Sequence, residues 1–214
     1  MKTALFTFLL VFKGEKQYNL GMEILGKILG STARVKIMRV FLLNRKSNFS
    51  SQDIVKRCRV GAGIVRRELR LLASAGFIKK QAKGWFLNPA FKYTTEVEAL
   101  LVNSDTIDKE QIANSFKKAG RVKLLIISGI FIKNKDTRVD LLIVGDGMKK
   151  GRIQEEIHKL EAEIGAELTY AVFETKEFIY RLNMFDKLVR DILDFPHEVV
   201  LESKELSTQA LKKD

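Results

Sequence analysis

The chain has 214 residues, 46% hydrophobic and 30% charged, with a formal net charge of +12, two prolines, one cysteine and two histidines. That balance is globular, with apolar material for two cores of about a hundred residues each, and it excludes low-complexity and repeat architectures. A lone Cys58 excludes a disulfide within the chain and a thiolate metal cluster, and His158 and His197 stand far apart without ligand-like spacing, which argues against structural zinc.

Charge is unevenly distributed. Residues 1–105 hold 19 Lys+Arg against 7 Asp+Glu, whereas 106–214 hold 19 of each. The first half therefore carries the whole excess, a field that attracts a polyanion, or else a solvated basic surface that keeps the protein soluble. In chain order, Ala4–Phe12 is an apolar run far shorter than the ~20 residues of a membrane span. Lys13, Gly14, Glu15 and Lys16 follow it with no small-x-small cleavage pattern, and Met22 stands just before the first recognisable domain. Residues 1–21 read as an over-extended start or a loosely attached arm, ahead of a packed strand or helix and of a signal peptide. The expected location is the cytoplasm, with no membrane association.

Ser31 and Thr32 start a helix over about 32–44, with Val35, Met38, Phe41 and Leu42 at helical spacing. A polar turn follows, and Ser50-Ser51-Gln52-Asp53 opens a second helix in the manner of a capping box, with Ile54, Val55 and Cys58 on its apolar side. Cys58 in that stripe reads as a small core residue. After the Val60-Gly61 turn, a third helix runs from Ala62 to Ala75 and stops at Gly76. Residues 77–81 and 85–88, around Ala82-Lys83-Gly84, read as a hairpin closed by Pro89. A helix from Thr95 links the halves, and Asp105 or Thr106 is the expected cap of another, ending at Gly120. Beyond it, strands at Val122–Ile127, Val139–Val144, Leu168–Phe173 and Val199–Leu201 alternate with helices at Met148–Ile164, Thr175–Asn183 and Phe185–Leu193, an α/β layer pattern.

The third helix has two faces. At roughly 100° per residue, Val65, Leu69 and Leu72 fall within about 60° of one another, and Gly63, Arg66, Arg67 and Arg70 fall on the opposite arc. Three guanidinium groups that can grip phosphate or guanine bidentately thus project together near the helix N-terminus, and Gly63 leaves backbone bare there. Mere solvation of an exposed face would bring balancing carboxylates at i±4, yet only Glu68 is present, off that arc. Lys79, Lys80 and Lys83 on the hairpin suit phosphates. Ser51, Lys56, Arg57 and Arg59, on the second helix and its turn, complete the expected DNA-contacting set.

Residues 31–93 resemble the winged helix-turn-helix regulators of the ArsR-like class. The resemblance rests on Ser50-Ser51-Gln52-Asp53-Ile54-Val55, on Val65-Arg66-Arg67-Glu68-Leu69, and on Leu72-Ala73-Ser74-Ala75-Gly76-Phe77-Ile78 entering a basic hairpin. It implies a transcriptional regulator of double-stranded DNA and, as in many of that class, a homodimer on paired half-sites.

Residues 105–202 resemble minimal nucleotidyltransferases, which place a Gly-Ser turn after the first strand and an Asp-x-Asp pair on the second to hold a triphosphate and two Mg²⁺ ions. Here Gly129 keeps the glycine but Ile130 replaces the serine, Asp140 matches the second aspartate and Arg138 stands where the first should be. The third strand, Leu168–Phe173, has no interior carboxylate. The resemblance implies a retained fold with lost chemistry, no cofactor and no metal. Arg138, Lys133 and Lys135 either bind a nucleotide effector or are surface charges, the reading favoured here. Dimerisation and a protein partner are the other uses open to this half. The expected architecture is a two-domain α+β and α/β chain: arm 1–21, winged helix-turn-helix 22–93, linker helix 94–104, nucleotidyltransferase-like domain 105–202 and charged tail 203–214. Two other readings stand beside it: an active nucleotidyltransferase guided by a nucleic-acid-binding module, and an antitoxin-like interaction protein.

Overall fold

A computed structural model describes residues 20–102, 108–134 and 136–206. Among the described residues the fold is mixed α and β, with two small sheets. The expected arm lies largely outside the described residues, and so do Asp105, Thr106, Lys135 and the end of the tail. Among the described residues no helix is long and apolar enough to cross a membrane.

Helix α1, Leu20–Leu29, begins inside the segment expected to be an arm and packs on α2, Thr32–Leu43. The Ser31 hydroxyl accepts the amide of Arg34 at 3.2 Å and so caps α2. Val35, Ile37, Met38, Val40, Phe41 and Leu42 are all buried, which makes α2 a central helix covered nearly all round. Helix α3, Ser51–Cys58, has the expected capping box: Asp53 donates its amide to Ser50 Oγ (3.1 Å), and Ser50 donates its amide to Asp53 Oδ2 (2.9 Å). The Ser50 hydroxyl and then the Ser50 amide hold the Asp53 carboxyl below its ordinary range. Arg59, in the left-handed region at φ 53°, ends α3. Helix α4, Ala62–Ser74, stops before Gly76 at φ 77°, a backbone that glycine adopts without strain. Strands β1 (Ile78–Gln81) and β2 (Gly84–Leu87) pair antiparallel around Ala82-Lys83. Phe49 and Trp85 exchange amide-to-carbonyl bonds of 2.9 and 2.8 Å, which fasten the hairpin to the segment before α3. Helix α5, Thr94–Leu101, follows.

In the second half, Asp108 rather than Asp105 or Thr106 caps α6, Lys109–Lys117, by accepting the amide of Glu110 at 2.9 Å. Strand β3 is Arg121–Ile127, a 3-10 turn spans Gly129–Ile132, and β4 is Leu141–Asp146. Helix α7 (Lys150–Ile164), β5 (Tyr170–Glu174), α8 (Thr175–Asn183), α9 (Lys187–Asp194) and β6 (Glu198–Glu202) follow, with a last 3-10 turn at Lys204–Leu206. The strand order is β5-β4-β3-β6. Only β4 and β5, joined across α7, run parallel; β3 is antiparallel to β4 and to β6. Side chains alternate across a strand, and both faces are apolar. Leu125, Ile127, Leu141 and Ile143 pack with residues of α6 and α7, while Leu124, Ile126, Leu142 and Val144 pack with residues of α8 and α9. A sheet covered on both sides needs the continuous apolar run that β4 shows.

The two halves meet where α2 and α3 touch α7. Arg39 is 2% exposed; its Nε donates to Leu101 O (2.7 Å) and its Nη1 to Glu163 O (2.8 Å). Burial pulls its pKa down to about 10, so the group stays charged at neutral pH. Asn44 Nδ2 donates to Gly165 O at 2.9 Å. Gly165 sits at φ 91°, and a Cβ there would lie 2.7 Å from Arg39 Cβ, so this junction requires glycine.

Candidate nucleic-acid interface

Amphipathicity orients α4. Val65, Leu69 and Leu72 are buried in the first apolar core, and Arg66, Arg67 and Arg70 are exposed. Gly63 is exposed as well, with nothing within 4 Å of an added Cβ. The arginines therefore lie neither under the hairpin nor against the C-terminal half. Arg70 Nε reaches only its own helix, at Arg66 O (3.4 Å). Ile64 and Leu71, each 42% exposed, flank the basic arc.

Glu68 does not balance this face from solvent. It is 1% exposed and turned inward, accepting from Arg34 Nε at 2.8 Å and from Arg67 Nη2 at 3.2 Å. Burial alone would raise its pKa, but the bonds from Arg34, Arg67 and Ser31 outweigh it and hold the carboxyl below its ordinary value. The one carboxylate on α4 is thus an internal anchor to α2, and helical spacing alone does not reveal its long-range partner.

The hairpin carries Lys79, Lys80 and Lys83, all exposed. Lys80 Nζ lies 5.6 Å from the centroid of the Trp85 ring, and Trp85 Nε1 donates to Ser51 Oγ at 3.3 Å. Trp85 thereby ties the hairpin to the start of α3. Nothing in the local sequence singles it out; the signal is the long-range pairing with Phe49. Ser51 serves as the acceptor in this tie.

Lys56, Arg57 and Arg59 line a cleft of about 540 Å³ shared with His158, Glu161 and the Gly165–Leu168 stretch. Arg57 Nη2 is bonded to Glu167 Oε1 at 2.7 Å, and its guanidinium lies 5.1 Å from the centroid of the Phe49 ring. Position along the chain groups these three cations with the α4 arginines, but one of them is committed to the C-terminal half. Cys58 is fully buried, and burial pushes its thiol pKa up to about 12, which leaves it inert at neutral pH.

The other motif, Gly129–Asp140, folds into a latch. Gly129 has φ +56°, and a Cβ there would collide with Asp140 Oδ1. Asp140 Oδ1 accepts the amide of Ile130 and Oδ2 the amide of Thr169, each at 2.9 Å. Both carboxylate oxygens thus pin backbone. Arg138 Nε donates to Asp191 Oδ2 of α9 at 2.7 Å. Lys133, at the end of the 3-10 turn, is exposed. Among the described residues no group of three or more His, Cys, Asp or Glu side chains could hold a metal ion. The chain matches no protein-family model, no curated protein and no solved structure.

Proposed function

We propose that the protein is a transcriptional regulator that binds double-stranded DNA through a winged helix-turn-helix in residues 22–93, with α4 in the major groove and the β1–β2 hairpin as the wing. The observation that carries this reading is the open arc of Arg66, Arg67 and Arg70 on the side of α4 opposite Val65, Leu69 and Leu72, with Gly63 bare at its groove end. The single carboxylate of the helix is turned inward to Arg34 and takes one bond from Arg67, which leaves Arg66 and Arg70 without a carboxylate partner among the described residues. On this reading Lys79, Lys80 and Lys83 follow the phosphate backbone and position the protein without reading sequence.

The C-terminal half is, on the same reading, a nucleotidyltransferase-like domain without catalysis, serving as a sensor or dimerisation unit of a cytoplasmic homodimer. Two features support the loss of chemistry: Asp140 spends both oxygens on backbone amides, and Arg138 faces Asp191 where a second metal ligand would stand. Incubation with labelled nucleoside triphosphate and Mg²⁺ yields no transfer; transfer abolished by Asp140→Asn would refute this part alone.

Fluorescence anisotropy with fragments selected from a genomic duplex library tests the DNA reading. Arg66→Ala and Arg70→Ala each weaken binding to the selected duplex by roughly 1–3 kcal/mol if they make bidentate base contacts, with a steep salt dependence. Unchanged affinity in both variants would remove the assignment.

A further inference from the structure

The cleft between α3 and the α7–β5 connection holds positive charge that the fold leaves unspent. One wall is rigid: Leu168 donates its amide to Glu161 Oε1 (2.9 Å), Thr169 donates to Asp140 Oδ2 (2.9 Å), and Gly165 O accepts from Asn44 Nδ2 (2.9 Å). The other wall is the end of α3, where the left-handed Arg59 donates its amide back to Lys56 O. Both carboxylates lining the cleft are already engaged, Glu161 by Leu168 and by His158 Nδ1 (2.9 Å), and Glu167 by Arg57. Asp53, one turn before Lys56, is held by Ser50, and its carboxylate also attracts Lys56 and Arg57 through space without bonding to either. The side chains of Lys56 and Arg59, by contrast, make no hydrogen bond or ion pair with a described residue.

We propose that this cleft is a binding site for a phosphate-bearing small molecule of nucleotide size, with its phosphates on Lys56 and Arg59. The volume of about 540 Å³ falls within the roughly 300–1,000 Å³ of small-molecule sites. Arginine offers a planar fork to phosphate oxygens and lysine a compact point charge, and both are present on one wall. The bound anion competes with Glu167 for Arg57, so occupancy loosens the tie between α3 and the C-terminal half. Since α3 packs directly on α4, the ligand acts next to the proposed recognition helix. Neither Gly129 nor Asp140 lines this site, although the latch braces its wall through Thr169, and the proposal does not depend on the DNA reading.

Titrating the full chain into fluorescently labelled ATP, with unlabelled ATP, inorganic phosphate and adenosine as competitors, tests it. ATP is expected to bind saturably in the micromolar range and to displace the label far better than phosphate or adenosine. Lys56→Gln with Arg59→Asn, the asparagine chosen because it tolerates left-handed backbone, is expected to weaken binding at least tenfold, while Arg66→Gln with Arg70→Gln leaves it unchanged. Should the first variant fail to fold by its melting transition, the wild-type amide resonances of Gly165 and Ala166 are followed by NMR, where saturable shifts with ATP support the site. No saturable binding up to millimolar ATP, equal displacement by phosphate, or affinity unchanged in the Lys56 and Arg59 variant overturns the proposal. So does a loss of duplex affinity in that variant without any ATP binding, which would hand both cations to DNA. Loss of DNA binding in the Arg66 and Arg70 variant with ATP binding intact separates the two readings.

Discussion

The two halves handle charge in opposite ways. In the C-terminal half, cations are neutralised by carboxylates of the same half: Lys109 with Glu198, Lys123 with Asp146 and Glu205, Arg138 with Asp191, Lys159 with Glu155 and Glu156, and Arg181 with Glu177 and Asp186. In the N-terminal half the few carboxylates serve as anchors. Glu68 holds Arg34, and Glu98 holds Arg45. The surplus is then left on the α4 face, the hairpin and the cleft beside α3, where it produces a field that reaches beyond the surface. Net charge alone therefore says less than the destination of each carboxylate.

If arginines fall into a tied class and an open class, removing them should separate cleanly. Arg39→Met leaves the carbonyls of Leu101 and Glu163 buried without their donor and should cost about 3 kcal/mol in urea unfolding. Arg66→Ala should change stability by less than about 0.5 kcal/mol. Similar costs for the two would erase the distinction. Next in size, Asp140→Ala frees the amides of Ile130 and Thr169 and should lower stability by about 2 kcal/mol. A neutral result there would mean that the latch contributes nothing to the fold.

Glu68→Gln sharpens the contrast through pH. The folded carboxyl lies below its ordinary value of 4.5, so its stabilising contribution is complete above that value and is lost as pH falls through the folded pKa. The variant should be about 1 kcal/mol less stable at pH 7, with a flatter stability profile below pH ~5; parallel profiles for variant and wild type would contradict the inward anchor. The smallest effects belong to the wing. Replacing Lys79, Lys80 or Lys83 singly by Gln should reduce the salt slope of duplex binding by about 0.9 for each phosphate left without its cation, equally for all sequences. A sequence-dependent effect would make the hairpin a reader rather than a positioning element.

Much of the chain is legible in the sequence because its signals are local. Ser31 and Ser50 cap helices within a few residues of themselves, and Gly76 ends one by its own backbone freedom. The two faces of α4 follow from helical pitch, and the strands of the second half follow from apolar runs. Local signals start α6 too early, since Asp105, Thr106 and Asp108 all suit a cap and the cap is Asp108. Helical pitch sets Glu68 off the basic arc, where the fold keeps it, but its burial against Arg34 depends on a residue 34 positions away.

Residue order by itself determined the helices from α2 onward, the hairpin, the apolar strands and the basic face of α4, because periodicity and caps are set by neighbours within a few residues; α1 is not among them. Only tertiary structure decided that Arg39 would be sealed between α5 and α7, that Arg57 would turn to Glu167, that Asp140 would pin backbone, and that a basic cleft would open beside α3. Those outcomes arise where segments more than twenty residues apart come together, and the partner of a charge across such a gap is chosen by packing rather than by spacing.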